Sequence, residues 1–208
     1  NARLSDMSDT STSPAPSRRI IPNVLIVESP SAADLYHGQS EGPLLINSLT
    51  LSGIKYSYHL ASNRTYLNLA LDEYKDKIID GSLNVLHISC HGTPDGICLT
   101  NGERLSWSDF GELIIPLNRA ADGLLVTCMS TCHGASARAA VSSWKELPFA
   151  LIIGPKSNVY YVDSALAYAI LYSKMTYEET FSKPIAVMNT IIRDTEFVTY
   201  YAKTERER

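Results

Sequence analysis

A chain of 208 residues, 45% hydrophobic and 19% charged, has enough apolar material for one well-buried core and is short for two domains. Its formal net charge of −4 argues against phosphate-backbone binding as the main task, because no basic excess is there to release counterions. No apolar run approaches the roughly 18–20 residues that span a bilayer, and no charged head leads into an apolar secretory core, so the expected location is the cytoplasm.

Residues 1–19 are rich in Ser, Thr, Asp, Pro and Arg and read as a disordered tail that buries too little apolar surface to offset its ordering entropy. Residues 203–208 read as a frayed end, and residues 20–202 as a single domain. Within it, residues 23–29 (NVLIVES) predict a buried strand. Leucines at helical spacing predict a helix over 42–52, closed by Gly53 as C-cap. Residues 55–60 (KYSYHL) alternate as a strand does. A 3.6-residue period over 64–79 predicts a helix capped by Asn63.

The strand 83–90 (LNVLHISC) runs straight into His91-Gly92. A small hairpin follows, turning at Asn101-Gly102, and Ser106 is placed to cap a helix through 109–117. A long strand is expected over 123–132 (GLLVTCMSTC), a helix over 135–145, and a strand over 149–154 (FALIIG). Helical segments 163–174 and 178–193 close the domain. Apolar strands alternating with amphipathic helices predict an α/β fold, a mostly parallel sheet covered on both faces.

In such sheets chemistry gathers beyond the carboxyl ends of the strands. Two strand ends carry it here: His87-Ile88-Ser89-Cys90-His91-Gly92 and Ser130-Thr131-Cys132-His133-Gly134. In neighbouring parallel strands, His91 and Cys132 would meet although one strand–helix–strand crossover separates them. A thiol with an ordinary pKa of about 8.5 is a poor nucleophile until deprotonated. An adjacent imidazole can take its proton and later return one to a departing amine. Gly92, with no Cβ, lets a peptide carbonyl approach its N–H, and the N–H of Cys132 would be a second oxyanion donor.

These segments resemble those of caspase-like cysteine peptidases. LHISCHG resembles their strand-His-Gly motif and STCHG their nucleophile segment; the closer likeness is to the bacterial CHAT branch, related to separase. There a His-Gly segment is followed by a hairpin, as GICLTNGERLSWSDF follows here, and a later strand leads to a helix-opening acid, as in FALIIGPKSNVYYVDSALAYAILYSKM. The likeness runs from about Val24 to Ile192. Two departures are a Cys-His-Gly nucleophile segment in place of an acidic or polar pair before glycine, and Asn158–Tyr161 where a tryptophan is common.

The resemblance implies a caspase-like three-layer α/β/α sandwich and a cysteine endopeptidase with Cys132 as nucleophile and His91 as general acid/base. Gly92 and Cys132 would supply the oxyanion donors through their backbones. Asp163 matches the helix-opening acid that in some members shapes the pocket for the residue before the scissile bond, where a carboxylate would favour Arg or Lys. Implied partners are a protein or peptide substrate and a separate sensor or regulator protein. Motifs of this branch occur in bacterial defence systems, where one effector type is a gasdermin-like pore former. No cofactor is implied. The competing reading is a caspase-fold scaffold that binds partners without cutting.

Other residues have simpler readings. Cys128 and Cys90 are expected in the core, His87 as a satisfied interior histidine, and His133 pointing elsewhere. Asp95 and Glu103 are expected to be solvated, Trp107 and Trp144 to be core or cap aromatics, and Tyr160-Tyr161 to pack. His87, Cys90 and His91, with Cys128, Cys132 and His133, superficially resemble zinc-ligand pairs. Alternation along a strand would send His87 and Cys90 to opposite faces, so no metal is expected.

Overall fold

A computed structural model describes residues 22–143, 146–175, 180–192 and 194–203. The predicted tail 1–19, residues 204–208, Trp144, and parts of the predicted helices 135–145 and 178–193 lie outside the described residues. In chain order the elements are β1 (Pro22–Ser29), α1 (Ala32–Tyr36), α2 (Gly42–Leu51), β2 (Lys55–Leu60), α3 (Arg64–Lys75), β3 (Leu83–Thr93), β4 (Gly96–Cys98), β5 (Arg104–Ser106) and α4 (Trp107–Ala120). Then come β6 (Val126–Ser130), a 3₁₀ helix (Gly134–Ser143), β7 (Leu151–Pro155), α5 (Tyr161–Met175), α6 (Ser182–Ile191) and β8 (Phe197–Tyr201).

The main sheet runs β2-β1-β3-β6-β7-β8. Every neighbouring pair in it is parallel except β7–β8. β4 and β5 form an antiparallel hairpin on the far end of β3. Strict alternation divides the core. Leu25, Val27, Leu86, Ile88, Met129 and Ile152 face α3, α4 and the 3₁₀ helix, while Val24, Ile26, Val85, Val126, Cys128 and Ile153 face α2, α5 and α6. The result is a mixed α/β sandwich of three layers.

Local chemistry explains where elements stop. α3 ends at Lys75, four residues before the predicted end. Asn23 donates to Lys77 O (2.9 Å), and Asn84 exchanges hydrogen bonds with the backbone of Ile79. Those side chains offer the backbone partners that a further helical turn would have supplied. β6 is shorter than the predicted 123–132. Asp122 and Gly123 take positive φ before it (53° and 73°), and a tight turn begins at Thr131. Over Gly134–Ser143 the helix is 3₁₀ rather than α, its small Ala135, Ala137 and Ala140 buried against the sheet.

Two elements were not anticipated. α1 is a single short helix opened by a capping box between Ser31 and Asp34. β8 closes the sheet antiparallel to β7, anchored where Asn189 both donates to and accepts from the backbone of Phe197 (2.8 and 2.7 Å). The hairpin, the Ser106 cap of α4 and the Gly53 turn (φ 66°) form where the sequence predicts them.

Candidate active site

β3 and β6 pair in parallel with Ser89 opposite Ser130. Beyond that pair the ladder ends: His91 follows Ser89 by two residues within β3, while Cys132 follows Ser130 by two residues past the end of β6. Within β3, His91 shares the face of His87, which points into the α2/α5/α6 layer, as Cys128 of the neighbouring β6 does. The two sequence motifs therefore reach the same rim of the sheet, side by side.

Each then leaves the sheet in its own way. β3 continues past β6 to pair with β4, His91 opposite Cys98. Beyond β6 the chain turns sharply, with the Gly134 N–H bonded to Thr131 O at 3.0 Å. Cys132 takes the second position of that turn and His133 the third, at φ 56°, the position that is left-handed in a type II turn. The loop after β7 holds the turn in place. His133 N–H donates to Ser157 O (3.0 Å) and the Cys132 thiol to Val159 O (3.6 Å).

Gly92 packs against this turn. A Cβ there would overlap Thr131 Oγ1 and the Cys132 carbonyl, so glycine is required by close approach rather than by an unusual φ. Gly154 plays the same part on the other side. A Cβ on it would lie 2.7 Å from the Gly134 carbonyl carbon.

The imidazole and the thiol are engaged with other partners rather than with each other. His91 Nε2 donates to Asp34 Oδ2 at 2.7 Å; the ring is 56% exposed and the carboxylate 21%. Burial acts to raise the Asp34 pKa. Hydrogen bonds from Ser31 and from His91 outweigh it and hold the carboxyl below its ordinary value. Asp34, bonded to the candidate base, is a residue that the sequence reading did not single out.

Beneath the rim lies a buried polar floor. Glu41, at the start of α2, accepts from His87 Nε2 through one oxygen (2.6 Å) and from Ser130 Oγ through the other (2.7 Å). His87 Nδ1 meets Tyr172 OH at 2.8 Å, and Ser164 lies 2.6 Å from Ser130. Glu28, fully buried at the end of β1, accepts from Ser40, the Glu41 and Gly42 N–H groups, Tyr58 and Tyr161. Two of those donors are backbone N–H groups at the start of α2, which favours a carboxylate there. Burial, with Glu28 beside them, drives the Tyr58 and Tyr161 phenols well above their usual pKa.

The remaining predicted residues fall as follows. Asp163 is half-buried in the first turn of α5, a helix that begins two residues after Val159. His87 is an interior histidine with both ring nitrogens engaged. Cys90 lies in the opposite core layer from His87, and Cys128 is fully buried. Burial pushes each of those two thiols up to about 12. Trp107 is buried with its indole N–H on Pro94 O (2.8 Å), and Asp95 is exposed. Glu103 departs from the solvated expectation: half-buried, it accepts the Arg64 N–H at the start of α3 (3.2 Å). Tyr160 is exposed, whereas Tyr161 reaches the Glu28 floor.

Among the described residues no cluster of three or more His, Cys, Asp or Glu side chains could hold a metal ion, and no helix is long and apolar enough to cross a membrane. No family model matches the chain, and no curated protein matches its sequence.

Proposed function

We propose that the chain is a caspase-like cysteine endopeptidase acting through Cys132 and His91. The observation that carries this reading is the pairing of two parallel strands up to Ser89 and Ser130, with His91 and Cys132 each two residues further along the chain at the same carboxyl rim. Two further features support it. The β4–β5 hairpin follows His91-Gly92 directly, and Gly92 presses on the backbone of Cys132. The first agrees with the order of elements in the CHAT branch that the sequence resembles.

In this reading His91 takes the Cys132 proton and the thiolate attacks the scissile carbonyl. The resulting oxyanion is held by the Gly92 and Cys132 N–H groups, each such donor contributing roughly 3–4 kcal/mol in the transition state. His91 returns the proton to the leaving amine as the C–N bond breaks. Water, deprotonated by the same imidazole, then hydrolyses the thioester and restores the thiol. Asp163 would bias the preceding substrate residue toward Arg or Lys. The substrate would be a partner protein, for example a gasdermin-like effector in a cytoplasmic bacterial defence system, with a separate protein as trigger.

The alternative is a non-catalytic interaction module. It draws on the thiol being bonded to Val159 O and the imidazole to Asp34 instead of to one another. Electrophilic peptide probes ending in Arg, Lys or Leu separate the two. The peptidase reading expects covalent labelling that is lost in Cys132→Ala and kept in Cys128→Ala, with cleavage of a peptide library by the unmodified chain. Equal labelling of both variants, with no cleavage, would leave the interaction module.

A further inference from the structure

Asp34 is absent from both motifs, yet its side chain is hydrogen-bonded to the candidate base. Its Oδ2 lies 2.7 Å from His91 Nε2 and also accepts the Ser31 N–H (3.0 Å) and hydroxyl (2.6 Å). The Asp34 N–H in turn donates to Ser31 Oγ (3.1 Å), so the carboxylate is fixed by the capping box that starts α1. The imidazole has no comparable confinement of its own. More than half exposed, it sits where β3 has left the main sheet.

We propose that Asp34 is the positioning residue of the site, holding His91 with its proton on Nε2 so that Nδ1 is the nitrogen that exchanges a proton with Cys132. This rests on the reading of His91 and Cys132 as a proton-transfer pair. The chemistry follows from what a carboxylate can do. It accepts and does not donate, so Nε2 facing it keeps its hydrogen in the neutral ring as well as in the imidazolium. Neutral imidazole then has one basic nitrogen left, and it is Nδ1. The proton moves from Sγ to Nδ1, then from Nδ1 to the leaving amine, and Asp34 stays ionised throughout. Its lowered pKa agrees with that. The same contact limits rotation of an exposed ring that would otherwise sample several rotamers.

The capping box of α4, built from Ser106 and Asp109 in the same pattern, with the Asp109 carboxylate bonded to Ser106 rather than to a histidine, supplies a control. The experiment uses the full chain and compares Asp34→Ala, Asp34→Asn and Asp109→Asn. Histidine ring nitrogens are read by NMR and peptide cleavage by steady-state kinetics. The expected result is an Nε2–H tautomer at His91 in the unmodified chain. It is lost in both Asp34 variants and kept in Asp109→Asn. In the Asp34 variants kcat drops about 100-fold or more, as for loss of effective acid–base catalysis, with KM changed less than about threefold. An unchanged tautomer, or an unchanged kcat, in folded Asp34→Asn overturns the inference. Complete inactivity of the unmodified chain sinks the peptidase reading instead, while the ring nitrogens still report whether Asp34 sets the tautomer.

Discussion

Glu41 Oε1 and His87 Nε2 lie 2.6 Å apart with neither side chain reaching solvent. The other Glu41 oxygen takes the Ser130 hydroxyl, so one carboxylate ties α2 to two adjacent strands just below the site. Glu41→Ala leaves His87 Nε2 without its partner in a dry interior and Ser130 with Ser164 alone. The expected loss is about 3–5 kcal/mol, as when one partner of a buried pair is removed. Urea unfolding followed by circular dichroism measures it, and a loss below about 1 kcal/mol would mean that water or a neighbour replaces the carboxylate.

The four thiols are expected to divide by accessibility. Cys90 and Cys128 are buried and pushed up to about 12, whereas Cys98 and Cys132 are half-buried. Iodoacetamide should therefore label only Cys98 and Cys132 in the native protein, and all four in denaturant. Peptide mapping by mass spectrometry reads the pattern. Native labelling of Cys128 at a rate similar to Cys132 would contradict it.

Gly92→Ala tests the close approach. The new methyl meets Thr131 Oγ1 and the Cys132 carbonyl, and backbone has to move to admit it. A destabilisation of about 1–3 kcal/mol is expected, typical of overpacking. Loss of Cys132 labelling should exceed what that stability change accounts for. Thermal melts run beside the labelling separate the two effects.

Asp34 gives a pH dependence with a defined sign. Its folded-state pKa is depressed, so its contribution to stability is fully present above the unfolded carboxyl value near 3.8 and is lost as pH falls through the folded value. Asp34→Asn should flatten the acid limb of the stability curve below about pH 4. Urea midpoints taken across that range check it; parallel curves for the two proteins would show that the carboxylate is not coupled to folding.

Much of the layout is readable because local signals and burial agree. β1 and β3 are buried on both faces, as central parallel strands must be, and the His91 and Cys132 motifs lie at the carboxyl ends of paired strands. What was not readable depends on partners distant in the chain. His87 looks like an interior histidine, but nothing near it announces Glu41, which arrives from a helix across the sheet. Ser31 and Asp34 have the spacing of a capping box. The five-residue α1 they open has no buried residue, and so no hydrophobic period drew attention to it. β8 follows a helical pattern with a short FVTYY segment, and only pairing with β7 makes it a strand. Glu103 has the composition of a hairpin tip, and its bond to Arg64 is a matter of tertiary placement.

The matched levels of Ser89 and Ser130 also set how the gene can vary in length. One codon added within β3 would rotate everything after it by half a pleat and aim the ring of His91 at the opposite layer, whereas two codons would restore its side but carry it a strand step further along. Insertions are instead absorbed where the chain has already turned away, as at Asn101-Gly102. Length polymorphism in this protein should therefore collect at such tips and skip both arms of the β3–β6 ladder.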